Sequence, residues 1–290
     1  MKEYKIGFLS DEHIDFYKFE KNPQSKKMAR EIKQYIEKLL IPEGGDILLS
    51  CGDVGHYFEQ NKEYYTQMLE HYTHIFVVPG NHDLYLVNSS QKHKYDYTSE
   101  NRLIEMRDWC NTQSNIHFME GQVISIDGLK IGGYGNWYDL PYDDDIELWK
   151  NVMNDSNLIM TEKEPYKISY GYGGQIKHTT FDTQAYRKVN EGYLDNIVKE
   201  KCDILMCHII PVIIPDHLKF SGHVDEDANI FYETDDLDKV KQTEAEIVVY
   251  GHNHENKEWE LDGIEFKTNA VAYPNEYGFK GIQHFTFVKR

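Results

Sequence analysis

Glu246–Glu255 reads EIVVYGHNHE: the apolar run Ile247, Val248, Val249 and Tyr250 meets Gly251, and His252 and His254 follow with one residue between them. A short β-branched run closed by glycine is the pattern of a buried strand. Histidine is a costly residue at the end of such a strand unless something there receives its imidazole.

The same ending recurs along the chain. KIGFLS runs into Asp11-Glu12-His13, DILLSC into Gly52-Asp53, IFVVP into Gly80-Asn81-His82-Asp83, and DILMC into His208. Amphipathic patterns near Ser25–Leu40, Asn61–Tyr72 and Ser99–Asn111 separate the first strands, which predicts β-α-β units around a largely buried sheet. In such sheets the loops at the carboxyl ends of the strands form the ligand crevice, so five polar clusters are expected on one rim.

After Ile116 the rhythm changes to hairpin-like strands, IHFME, QVISIDG and LKIGGYG, with a turn at Asp127-Gly128. A helix near Asp182–Glu200, a strand at Asp203–His208, a hairpin turning on Asp262-Gly263 and a last strand, IQHFTFV, complete the chain. Helices early and late with hairpins between them predict two packed sheets sandwiched by helices, in a single domain over residues 1–290. Residues 136–180, rich in Tyr, Asp, Asn and Gly, fit this rhythm least and are expected to form an inserted, lid-like segment. A loop after His208, carrying His217 and His223, is placed to overhang the rim.

Composition narrows the setting. The 290 residues carry a formal net charge of −18, so the surface repels polyanions and long duplex DNA is not an expected partner. No apolar run approaches the roughly 20 residues of a membrane span. No signal-peptide pattern precedes the first strand. The four cysteines form no CxxC pair, as expected of reduced thiols in a cytoplasm. Oligomeric state is not legible.

Asp, Asn and His are donors suited to borderline divalent ions such as Zn, Mn, Fe and Ni, and the rim carries enough of them for two. Each cluster alone is commonly a capped turn or a hydrogen-bonded core histidine. Five in order on one rim are not explained that way. The glycines before Asp53, Asn81 and His252 let the backbone turn sharply beneath a crowded site.

The ordered set D-x-H, G-D, G-N-H-D, H and G-H-x-H, from Asp11 to His254, resembles the calcineurin-like metallophosphoesterase superfamily. That resemblance implies a four-layer α/β/β/α sandwich with two mixed sheets. It implies that Asp11, His13 and His254 bind one metal, that Asn81, His208 and His252 bind a second, and that Asp53 bridges them. The ions would be divalent or mixed-valence: Mn, Fe or Zn first, then Ni or Co. His82 would stand beside the substrate phosphate as catalytic acid, oriented by Asp83. The implied reaction is hydrolysis of a phosphomonoester or phosphodiester in a small, nucleotide-type substrate by metal-bound hydroxide. GGYGNWYD (Gly132–Asp139), NDSNLIM (Asn154–Met160) and Pro211 are similar to small bacterial members. Ile209 and GDVGHY depart from other branches, the latter lacking the Asp-Arg pair of the serine/threonine phosphatases.

Two rivals stand beside this reading. One is a nuclease acting on nucleic-acid ends, which needs a basic track near the rim. The other is a scaffold of the same fold without turnover, although such proteins usually lose ligands and all seven are present.

Overall fold

The computed structural model describes residues 1–22, 24–161, 166–169, 175–178, 181–218, 226–276 and 278–289. The amino-terminal third runs β1 (Lys2–Leu9), α1 (Lys26–Tyr35), β2 (Gly45–Ser50), α2 (Phe58–Met68), β3 (Tyr72–Val77), α3 (Ser89–Lys94), α4 (Ser99–Asn111) and β4 (Ile116–Phe118). The middle holds β5 (Val123–Ile126), β6 (Leu129–Gly133), α5 (Asp143–Val152), α6 (Asp155–Leu158), the small hairpin β7 (Tyr166–Ser169) and β8 (Gln175–His178), and α7 (Thr183–Glu200). The last part is β9 (Ile204–Met206), α8 (Leu237–Gln242), β10 (Ile247–Tyr250), β11 (Asn256–Leu261), β12 (Ile264–Asn269) and β13 (Gln283–Lys289).

Two mixed sheets result, in the orders β13-β1-β2-β3-β4 and β11-β12-β10-β9-β6-β5. In the first, β1 to β4 are parallel and β13 closes the edge antiparallel to β1. In the second, β12, β10, β9 and β6 are parallel, flanked by antiparallel β11 and β5. Side chains alternate between faces along a strand. On β2, Ile47 and Leu49 join Ile6, Phe8, Ile131, Met206 and Val249 in the core between the sheets. Leu48 points the other way, into the helix layer with Met28, Ile32 and Tyr65. On β10, Val248 and Tyr250 face α7 and its Leu194 and Ile197. Strands buried on both faces read as continuous apolar runs for this reason. Truncating Leu48 or Leu49 to alanine is expected to cost about 2–5 kcal/mol.

The Ser25 side chain caps α1 by accepting from Lys27 N, and the helix buries Met28, Ile32 and Tyr35 at helical spacing. Positive φ at Asp127-Gly128 and Asp262-Gly263 gives the tight turns expected of both hairpins. Two expectations change. Ile116–Phe118 is no hairpin arm but the parallel edge strand beside β3, delivered there by α4. The expected helix near Asn61–Tyr72 starts at Phe58 and stops at Met68, because Tyr72 already pairs with β2.

Within the segment expected to be lid-like, Trp137, Tyr138, Leu140 and Trp149 are buried in the helix-side core. Residues 162–165, 170–174 and 179–180, with His223 of the expected overhang, lie outside the described residues. Among the described residues, no helix is long and apolar enough to cross a membrane.

Candidate metal centre

The ends of β1, β2 and β3 in one sheet and of β9 and β10 in the other meet at one end of the sandwich. Backbone bonds lock these loops together: Asp11 N to Gly52 O at 3.0 Å, His13 N to Asp53 O at 3.0 Å, and Gly251 N to His208 O at 3.0 Å. Asp11, His13, Asp53, His252 and His254 all take left-handed backbone, with φ of 53, 40, 62, 69 and 52°. A non-glycine residue there costs on the order of 1 kcal/mol, and such strain persists where the surroundings over-determine it. The glycines serve close approach. A Cβ on Gly52, at φ +92°, would lie 2.5 Å from His208 Nδ1, and one on Gly80 would lie 2.1 Å from Asp53 Oδ1.

Three groups of donor atoms converge within 4.8 Å: Asp11, His13 and His254; His13, Asp53 and His82; and Asp53, His208 and His252. Asp53 belongs to two of them. Asn81 joins the last, its Oδ1 lying 3.2 Å from His208 Nε2.

The hydrogen bonds behind these atoms decide which lone pairs face inward. His208 Nδ1 donates to Cys51 O at 2.7 Å, so in the neutral ring Nε2 carries a lone pair toward Asn81 Oδ1 and, at 3.4 Å, Asp53 Oδ2. His252 Nε2 donates to Phe231 O at 3.1 Å, leaving Nδ1 for the site. His254 Nδ1 donates to Glu276 Oε2 at 2.7 Å, and its Nε2 faces His13 Nε2 at 3.2 Å and Asp11 Oδ1 at 3.6 Å. Electron-rich atoms held this close repel one another unless a proton or a cation lies between them. Carboxylate or carbonyl partners on the outer ring nitrogen are the usual support of metal-binding histidines.

Burial, reinforced by neighbouring imidazoles, holds His13, His82 and His252 well below the usual imidazole range, so they are neutral at pH 7 with lone pairs free. Burial pushes the Asp53 carboxyl up, against the pull of His208. For His208 burial opposes charge, yet Asp53 draws the imidazole upward.

Two partners were not legible in the sequence. Asp155, fully buried at the start of α6, accepts from Asn81 Nδ2 at 2.8 Å and from the hydroxyls of Tyr85 and Tyr138, which aims Asn81 Oδ1 at His208. His82 Nδ1 lies 3.0 Å from His56 Nε2, and His56 Nδ1 lies 2.7 Å from Asp15 Oδ2. The expectation that Asp83 orients His82 is therefore corrected. The Asp83 Oδ2 instead accepts from the backbone of Asp53 at 3.0 Å and of Gly80 at 2.8 Å, tying the β2 and β3 loops together. NDSNLIM flagged the neighbourhood of Asp155, but nothing local gives its partner.

A cavity of about 600 Å³ opens over the rim, lined by Asp53, Asn81, His82, Tyr85, Val152, Met153, Asn154, Tyr232, His252, Asn253, His254, Glu255, Tyr273, Asn275 and Glu276. Cys51 and Cys207 are buried beneath it as free thiols and are not among the converging donors.

A two-sheet sandwich whose strand ends gather Asp, Asn and His under an open cavity defines a hydrolase of phosphoric esters. A family model described as calcineurin-like phosphoesterase matches residues 4–256, and the chain belongs to that family. It is 24% identical over 236 residues, 79% of each chain, to an uncharacterized protein, L509, of Acanthamoeba polyphaga mimivirus. Among solved structures, the phosphopantetheinyl hydrolase of Mycobacterium tuberculosis shares the fold at a TM-score of 0.62 and 18% identity, over 93% of this chain and 90% of that one.

Proposed function

We propose that this chain hydrolyses a small phosphorylated substrate, a phosphomonoester or phosphodiester, at a two-metal centre. Asp11, His13 and His254 would hold one ion, Asn81, His208 and His252 the other, and Asp53 both. The observation that carries this is the His208 side chain. Its Nδ1 is committed to Cys51 O, so the other nitrogen faces two oxygens across a gap that a proton bridges in the free protein and that a cation would bridge on binding. The donor set suits Mn, Fe, Zn, Ni or Co. Ions bound there supply a nucleophile at neutral pH and neutralise charge on the phosphoryl oxygens.

The chain's own residues do the rest. The Asp15 carboxylate holds the His56 proton on Nδ1, so His56 Nε2 receives the Nδ1–H of His82 and turns His82 Nε2 toward the cavity. The anionic phosphoryl group of a bound substrate would favour the imidazolium against the burial that depresses it; with Nε2 protonated in that complex, His82 would give that proton to the leaving oxygen as the P–O bond breaks. Asp155 keeps Asn81 from flipping its amide. Among the described residues no Lys or Arg lines the cavity, which favours a small substrate over a nucleic-acid backbone. Four free, buried cysteines fit a reducing cytoplasm.

The test is metal analysis with turnover. Purified protein should carry close to two transition-metal ions and hydrolyse an activated aryl phosphate in a chelator-sensitive way. A panel of nucleotides, sugar phosphates, cyclic diesters and a phosphopantetheinyl ester, assayed with Mn, would then define the substrate. No bound metal and no rate increase with added Mn, Ni, Co or Zn would refute the reading. A second reading rests on the convergence of His82 with His13 and Asp53, in which His82 is itself a ligand. His82→Ala separates the two. As acid, its loss lowers kcat by about 10²–10⁴-fold with metal retained. As ligand, its loss lowers metal content.

A further inference from the structure

We propose that the Tyr273 hydroxyl is a second hydrogen-bond donor to the leaving-group oxygen, working beside His82. The inference rests on the hydrolase reading above and deepens it. Tyr273 lies beyond residue 256, where the family match ends, and no sequence motif points to it.

The backbone that carries Tyr273 is fastened to the site itself. After β12, Val271 N donates to Ser10 O at 2.9 Å and Ala272 N to Asp11 O at 2.9 Å. Ala272 then takes φ 65°, which turns the chain so that the Tyr273 ring stacks on His13, with centroids 4.5 Å apart and planes at 21°. His254 meets the ring edge-on at 4.8 Å, and Phe16 packs on it at 4.8 Å. Glu276 Oε2 accepts both Tyr273 N at 3.1 Å and His254 Nδ1 at 2.7 Å, so one carboxylate fixes the turn and a rim histidine together. A side chain held from this many sides is preorganised, as a catalytic donor has to be.

The hydroxyl has its proton to give. Its polar neighbour among the described residues is His82 Nε2, at 3.5 Å, the outer limit of a hydrogen bond. Two donor atoms 3.5 Å apart can both reach one oxygen, and Tyr273 and His82 line the same cavity. A phenol keeps its proton near neutral pH. As the P–O bond breaks, its electron pair passes to the leaving oxygen. His82 supplies the proton; Tyr273 donates a hydrogen bond and keeps its own.

The test is Tyr273→Phe, which keeps the ring and its stack on His13, assayed as the Mn-loaded full chain. Its substrates are a 4-nitrophenyl and a phenyl ester of whichever class, mono- or diester, the wild type turns over. Metal content should equal wild type, and kcat on the phenyl ester should fall about 10²-fold, the size of losing one preorganised donor. The loss on the nitrophenyl ester should be much smaller, because nitrophenolate needs little stabilisation. No loss, an equal loss on both esters, or a fall in metal content would each overturn the proposal. His82→Ala, run in parallel, separates the failures. If it shows the leaving-group dependence and Tyr273→Phe does not, only this inference falls. If neither shows it, or the wild type turns over no ester, the hydrolase reading falls with it.

Discussion

Asp155 offers the sharpest test of how the site is held. Its carboxylate is fully buried, accepts Asn81 Nδ2 at 2.8 Å, and accepts the hydroxyls of Tyr85 and Tyr138. Asp155→Ala would strand three buried donors, at about 1–3 kcal/mol each, and threatens the fold. Asp155→Asn is the cleaner perturbation. It keeps an oxygen for Asn81 but sets an amide N–H against the Tyr138 hydroxyl, which already accepts from Trp149 Nε1. The amide then competes for the wrong orientation, and Asn81 Oδ1 is no longer fixed toward His208. Loss of such a supporting partner typically costs 10–100-fold in metal affinity, or about 1.4–2.7 kcal/mol. Calorimetric titration of metal-stripped protein with Mn should show this loss at the Asn81, His208 and His252 position, with the Asp11, His13 and His254 position within about threefold of wild type. Tyr85→Phe should do less, since Asp155 still receives Asn81. Equal weakening of both positions, or of neither, would refute the reasoning.

Asp53→Asn should reduce metal at both positions and His208→Ala mainly at one; retention of two ions after Asp53→Asn, measured after desalting, would end the bridging assignment. His56→Ala should lower kcat with metal content unchanged, because it releases His82 Nδ1, whereas Asp83→Ala should disturb the β2 and β3 loops and lower metal content as well. Glu12 is fully buried, and burial pushes its carboxyl from 4.5 to about 8, so the folded state holds a proton that the unfolded state has lost. The Glu12 contribution to the stability of metal-stripped protein should therefore be full below about pH 4.5 and fall by on the order of 1.4 kcal/mol per pH unit up to about pH 8. Glu12→Gln should remove that slope in urea unfolding measured across pH; an unchanged slope would assign it elsewhere.

The sequence by itself determined the five strands that lead to the rim, their order of use and the polar cluster closing each one. These are local matters: apolar runs long enough to be buried on both faces, and glycines where a side chain would collide with Asp53 or His208. The position of β4 was not among them, because Ile116–Phe118 is compatible with a hairpin or a parallel edge until α4 packs. Nor were the partners behind the rim. His56 reaches Asp15 across 41 positions, Asn81 reaches Asp155 across 74, and His254 reaches Glu276 across 22. Tyr273 comes to His82 across 191 positions. A rim residue's identity is written where its strand ends, since strand geometry delivers it to the rim whatever lies beyond. The group that orients it comes from whichever segment the packed layers press against that loop, and only the tertiary structure decides which segment that is.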